Sequence, residues 1–300
     1  MMGQVVFVVA RESVEALLVI GILWAWLSGR ADARAGHTWL LGGIAAGFGL
    51  AVALALALMG MTTFLGGAAR NGFEIALLTL AAGLIVQMVV WMRRHGRTLK
   101  REMEDELDRS AARASWWGVF ALAAIAIGRE GSETVVFLYG SLLNVRGFQG
   151  WIEFISSAAL GLVIALSLFW VMQMGARVLS WRRFFQVTEW MLLFLGSSMF
   201  LTAMGKLLSG PMAQVDLPGW VYSTVWNTSA MLSDTSGFGS LLAALLAYRA
   251  QPIGWDLAAL ALYWVAVVLV LRLTGSSRPA PTAQRTSGPS PLQAVSKTAP

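Results

Sequence analysis

The chain has 300 residues, of which 57% are hydrophobic and only 13% charged, with a formal net charge of +6. Soluble domains carry roughly a quarter charged residues, so this composition excludes an ordinary soluble enzyme or binding module and indicates an all-α polytopic membrane protein. The basic residues lie in short connections between apolar runs and build no basic face with interleaved aromatics, so nucleic acid is not an expected partner. Cysteine is absent and the only histidines are His37 and His95, which removes disulfides, thiolate metal sites and thiol redox chemistry.

Crossing the roughly 30 Å of bilayer hydrocarbon takes about 20 apolar residues. Seven segments meet that length: 4–27, 38–60, 72–92, 116–143, 153–175, 187–207 and 253–273. The first has no basic n-region and no small-residue cleavage site, so it reads as a retained span. It carries Arg11-Glu12-Ser13-Val14-Glu15 inside an otherwise apolar run. Gly43 and Gly47 give the second span a small-xxx-small face suited to close helix contact. Glu74 stands at the start of the third.

The connection 93–115 mixes Arg and Lys with Glu102, Glu104, Asp105, Glu106 and Asp108, and this charged loop reads as a solvated, mixed-charge helix on the cytoplasmic side. Its basic residues balance its acids, so it is not taken as a metal site. The fourth span repeats the first motif as Arg129-Glu130-Gly131-Ser132-Glu133. Between the sixth and seventh spans, 208–252 is broken by Pro211, Pro218 and Gly219 and holds a short apolar helix over Leu241–Tyr248, which suits a half-span or an interfacial helix on the outer side. The membrane domain is expected to cover 1–273, followed by a disordered cytoplasmic tail at 274–300 that is rich in Pro, Ser, Thr and Ala. Tryptophans such as Trp24, Trp39, Trp91, Trp117 and Trp151 fall near span ends, where interfacial aromatics belong.

Loop charge sets the orientation. Sixteen Lys and Arg fall on one side of the spans and four on the other. The positive-inside rule then places the N-terminus outside and the C-terminus in the cytoplasm. Spans one and four are three crossings apart and run in opposite directions, so the duplicated motif points to two inverted three-helix repeats plus a seventh helix.

An ionised residue at the centre of a membrane helix costs about 2.5–3.5 kcal/mol on insertion scales, so six of them must face one another, a water path or a cation. Positions i and i+3 share a helix face, which pairs Glu12 with Glu15 and Glu130 with Glu133, and each preceding arginine reaches its second glutamate at i+4. Four glutamates without sulfur or imidazole favour a hard cation such as Fe(III), Ca²⁺, Mg²⁺ or Mn²⁺. Arg11 and Arg129 would balance charge in the empty site. The bland alternative is an ion-pair cluster that pins two helices, a weak stabiliser because desolvation offsets attraction.

These residues resemble the oxidase-dependent, high-affinity iron permeases of fungi and bacteria, whose signature is Arg-Glu-Gly-x-Glu in the first and fourth of seven spans. The second run matches fully, and the first has Ser13 in the glycine position. Phe73-Glu74, the run Gln87 to Met92, and Val225-Trp226-Asn227-Thr228-Ser229 through Tyr248 are also similar, with Asn227 where an acid is expected. The resemblance implies a permease in the plasma or inner membrane, not an enzyme, with iron as transported substrate and no cofactor. It also implies a ferroxidase or periplasmic iron-delivery partner. It makes Glu12, Glu15, Glu130 and Glu133 the iron ligands, with Glu74 a ligand at the outer mouth. Asp234 and Glu189 are relay candidates, the first for arriving and the second for departing iron. A carrier or exchanger of another hard cation is the main alternative. An intramembrane di-iron enzyme is disfavoured, because neither histidine completes a Glu-x-x-His.

Overall fold

The computed structural model of the chain describes residues 2–29, 33–95, 116–142, 145, 147–174, 181–234 and 237–275. Most of the charged connection 93–115 and nearly all of the tail lie outside the described residues. Eight α-helices occur among those described: α1 (Met2–Ser28), α2 (Ala33–Phe64), α3 (Gly67–His95), α4 (Trp117–Leu142), α5 (Gly147–Gln173), α6 (Trp181–Ser209), α7 (Gly237–Leu246) and α8 (Gly254–Gly275). A 3₁₀ turn at Gly219–Val221 and an isolated bridge between Thr224 and Ile253 complete the assigned elements.

Among the described residues each of the seven predicted spans coincides with a helix, and the eighth helix is α7, which begins four residues earlier than expected. At 10 residues it is too short to cross a bilayer, since a helix rises about 1.5 Å per residue. Five helices (α2, α3, α5, α6 and α8) are long and apolar enough to cross a membrane. The remaining two, α1 and α4, are 27 and 26 residues long and interrupt their apolar sequence with the charged motif. The reversals between helices use glycine where the backbone must turn left-handed. Gly67 has φ +55° at the start of α3, and Gly147 has φ +65° at the start of α5.

The bundle has an interior and a lipid-like exterior. Its main core cluster joins Val5 and Val8 of α1, Ala81, Ile85 and Val89 of α3, Phe137 of α4, Leu192, Leu193 and Leu195 of α6, and Tyr263 of α8. Outward faces of α2, α5 and α8 expose Phe48, Leu56, Val163, Leu262 and Val265. An apolar outer face of this extent is what hydrocarbon surroundings require. A second cluster, from Leu23, Leu27, Leu40, Val119 and Ala123, closes the far ends of α1, α2 and α4.

Helix pairing is crosswise. α2 packs most extensively on α4, α5 on α1, and α3 on α6, while α1 and α4 also touch each other. Two of these crossings use glycine in the same way. A Cβ on Gly47 would lie 2.8 Å from Ala124 O, 2.9 Å from Ile127 Cβ and 2.7 Å from Gly128 N. A Cβ on Gly161 would lie 2.7 Å from Val6 O, 3.0 Å from Val9 Cβ and 3.2 Å from Ala10 N. Each glycine meets a carbonyl, the Cβ three residues on and the amide four residues on, just before the Arg-Glu run. Gly43 and Ser157 stand one turn earlier on their helices, so the small-xxx-small face read in span two recurs in α5.

Leucine at Gly47 or Gly161 is expected to overpack these crossings, costing about 1–3 kcal/mol. Gly49→Leu, at a glycine with no neighbouring atom within 4 Å, is the control. Thermal melts in detergent should show lower midpoints for the first two variants only.

Candidate metal centre

α1 and α4 cross where their charged motifs sit. Arg11, Glu12 and Glu130 are buried, and Glu15 and Glu133 are nearly so. Glu12, Glu130 and Glu133 each present a carboxylate oxygen, and these oxygens lie within 4.8 Å of one another. They are the one such acidic group among the described residues. Glu12 Oε2, Glu130 Oε2 and Glu133 Oε2 are buried without a hydrogen-bond partner. An unpartnered buried carboxylate oxygen is costly, and a bound cation is the simplest group that satisfies three at once. At that spacing one ion reaches all three, with only oxygen donors, as hard cations prefer.

Glu15 stands apart from this trio. Its Oε1 lies 2.5 Å from Arg11 Nη2, and Arg11 Nη1 also donates to Glu12 Oε1 at 2.5 Å. Arg129 Nε donates to Glu133 Oε1 at 2.9 Å. Both predicted i, i+4 ion pairs are therefore present. With every group ionised, four carboxylates face two guanidiniums, leaving the cluster short of two positive charges.

The α4 motif also explains its own glycine. A Cβ on Gly131 would come within 2.5 Å of Ala51 Cβ, so α2 can lie against α4 only if that position is bare.

Two further acids are engaged by cations at opposite ends of the α3–α6 pair. Glu74 Oε1 accepts from Arg70 Nε at 3.0 Å, and its Oε2 accepts from Lys206 Nζ of α6 at 2.8 Å. Glu189 of α6 is bound by Arg93 of α3. Each helix thus supplies an acid near one end and a cation near the other. Both acids open the same pattern, Glu-x-x-Leu-Leu-x-Leu, at Glu74–Leu80 and Glu189–Leu195. That repeat marks the two acids as alike in setting but says nothing of their cation partners. Asp234 is partly buried in the turn before α7 and is not a member of the central trio. Asn227 Oδ1 accepts from Ser229 N at 3.0 Å and Ser229 Oγ at 2.6 Å, a local turn that gives the position a structural use.

The contacts missed by sequence reasoning come from α3. Met92 Sδ is 3.3 Å from Arg11 Nη2, and the guanidinium of Arg129 lies 4.5 Å above the Trp91 ring. Trp91 reads in sequence as an interfacial aromatic and Met92 as packing.

The apolar bundle around a buried, carboxylate-rich centre defines an integral membrane protein that keeps a cluster of acidic side chains in its interior. The chain belongs to the iron permease FTR1 family, whose model matches residues 2–277. It is 25% identical over 269 residues to the ferrous iron permease EfeU of Escherichia coli O6:H1, covering 89% of this chain and 94% of that protein. The same-named protein of Yersinia pestis is 21% identical over 266 residues, covering 88% and 90% of the two chains. An uncharacterized protein of Archaeoglobus fulgidus is 30% identical over 202 residues, covering 66% of this chain and 67% of its own. No solved structure matches the chain.

Lys206→Met would leave the Glu74 carboxylate with Arg70 alone, whose side chain is half exposed. It should destabilise the detergent-purified protein by about 1 kcal/mol, as expected of a partly screened pair. Glu74→Gln in the same background should recover part of the loss. A double-mutant cycle on the melting midpoints measures that coupling.

Proposed function

We propose that this protein carries iron inward across a plasma or inner membrane, as Fe(III), on a central site formed by Glu12, Glu130 and Glu133. The observation that carries the proposal is three carboxylates that bring oxygens within 4.8 Å of one another and each have a buried, unpaired oxygen, in a cluster short of positive charge. Membership of an iron permease family supplies the cargo, and an all-carboxylate donor set suits its harder oxidation state. The relatives named as ferrous iron permeases fit the same cargo with oxidation before or during passage. A ferroxidase or a periplasmic delivery partner would supply that step. The role is transport, with iron as substrate and no resident cofactor.

In this proposal seven helices span the bilayer, α1 and α4 included, because their charges turn inward and their outer flanks stay apolar. Two inverted repeats, α1–α3 and α4–α6, frame the site, and α8 stands outside them. The exchange of α1 with α4, α2 with α5 and α3 with α6 supports this. It maps the Gly47 crossing onto the Gly161 crossing, and Glu74–Lys206 onto Glu189–Arg93. The N-terminus lies outside by the loop-charge argument. Glu74 then marks the outer mouth and Glu189 the inner one, each acid available to passing iron when its cation lets go. Glu15, held on Arg11, is the reserve carboxylate.

Glu130→Ala and Glu133→Ala are each expected to reduce radiolabelled iron accumulation to background while the protein still reaches the membrane. Glu74→Ala should lower uptake by a smaller factor, because it removes a station and spares the site. Uptake of iron offered as Fe(II) or Fe(III), with and without an oxidant and against Mn²⁺ and Ca²⁺, separates this reading from a general hard-cation carrier. Wild-type rates in both alanine variants would remove the assignment.

A further inference from the structure

The two motifs are alike in sequence and in the helices that pack on them, yet their arginines are held differently. The Arg11 side chain is 1% exposed and is fixed by Glu12, Glu15 and the Met92 sulfur. The Arg129 side chain is 38% exposed, has one bond to Glu133 Oε1, and lies with its face on Trp91. Successive residues of a helix point about 100° apart. Trp91 and Met92 therefore diverge from the end of α3, one toward the α4 arginine and the other toward the α1 arginine. Neither belongs to a motif helix.

Consider what Arg129 would do without the ring. A guanidinium has five donors in a planar fork suited to bridging carboxylates. Glu130 Oε2 and Glu133 Oε2, on the same helix, are buried without a partner, and both residues belong to the trio that could hold a cation. An arginine free to swing onto them would compete with the cargo directly. Seated on an aromatic face, the same group is held by its π surface and its charge remains nearby.

We propose that Trp91 is a positioning residue that seats Arg129 beside the cation site, so that Glu130 and Glu133 each keep an oxygen open for the incoming ion. Arg11 is the fixed countercharge, and Arg129 is the one that shifts when the site fills. This rests on the reading of the central site given above and adds to it a residue outside both motifs, with a distinct role for each arginine.

The test is concentration-dependent iron uptake by the full-length protein in proteoliposomes, for Trp91→Ala, Trp91→Phe, Trp91→Leu and Arg129→Ala, with Trp91→Leu also made in the Arg129→Ala background. Loss of a partly desolvated cation–π contact predicts a KM for iron raised about tenfold in the Ala and Leu variants, with Vmax per molecule within about twofold of wild type. Trp91→Phe, which keeps an aromatic face, should stay within about threefold of wild type. Without Arg129, replacing Trp91 by Leu should leave KM unchanged. The inference is overturned if Phe and Leu behave alike, if only Vmax falls, or if the Leu substitution has the same effect with and without Arg129. Should the alanine variant fail to fold, the Phe and Leu pair decides. Iron uptake that survives Glu130→Ala would instead defeat the underlying site reading, which keeps the two failures distinguishable.

Discussion

An excess of carboxylate in an apolar interior is the constraint on which the other features depend. Removing a carboxylate from water costs several kcal/mol even after relaxation, and pairing repays this only with good geometry. Here four acids share two arginines. Neither α1 nor α4 can turn its motif toward hydrocarbon, so each needs another helix close enough to seal it. That requirement explains the glycines. α2 and α5 come within backbone contact of α4 and α1 one turn before the charges begin, and Gly131 removes the last obstruction at the motif itself. α3 and α6 close the remaining side, and their own acids are bound to cations on the opposite helix.

The likeness of the Gly47 and Gly161 crossings does not extend to the charged side chains. The α1 arginine is enclosed and doubly paired, and the α4 arginine is open on one face. Two copies of one motif can therefore divide the labour, one holding the countercharge and the other exchanging it. A symmetric pair would have to release both arginines or neither.

Much of this was legible in the chain, and the parts that were not have a common cause. The long apolar helices were visible because a stretch of some 20 apolar residues has few other uses. The motifs stood out because charge is rare in such a setting, and the i, i+4 pairs follow from local helix geometry. Long-range partners leave no local trace. Nothing near Glu74 announces Lys206, 132 residues away, and nothing near Glu189 announces Arg93, 96 residues away. Trp91 and Met92 were hidden by plausible ordinary roles at a helix end. Glu15 looked equivalent to Glu133 because spacing alone cannot show that one arginine is enclosed with its glutamate and the other is not. The segment 208–252 was readable only as a break with a short helix in it. Its folding back through Thr228, Tyr248 and Leu232 depends on hydrogen bonds between residues up to 20 apart.

Charge balance links the oxidation state of the cargo to the mobility of one side chain. With all six groups ionised, a divalent ion neutralises the cluster and both arginines can remain where they are. A trivalent ion leaves it one charge in excess, and in a medium of low dielectric that excess is strongly disfavoured. Carrying Fe(III) therefore requires one guanidinium to move away from the carboxylates as the ion arrives. Arg11 has no exposed side on which to leave. Arg129 does: its side chain is partly exposed, lies on Trp91 and is bonded to Glu133. The proposed trivalent cargo and the looser second arginine are thus two consequences of the same electrostatic requirement.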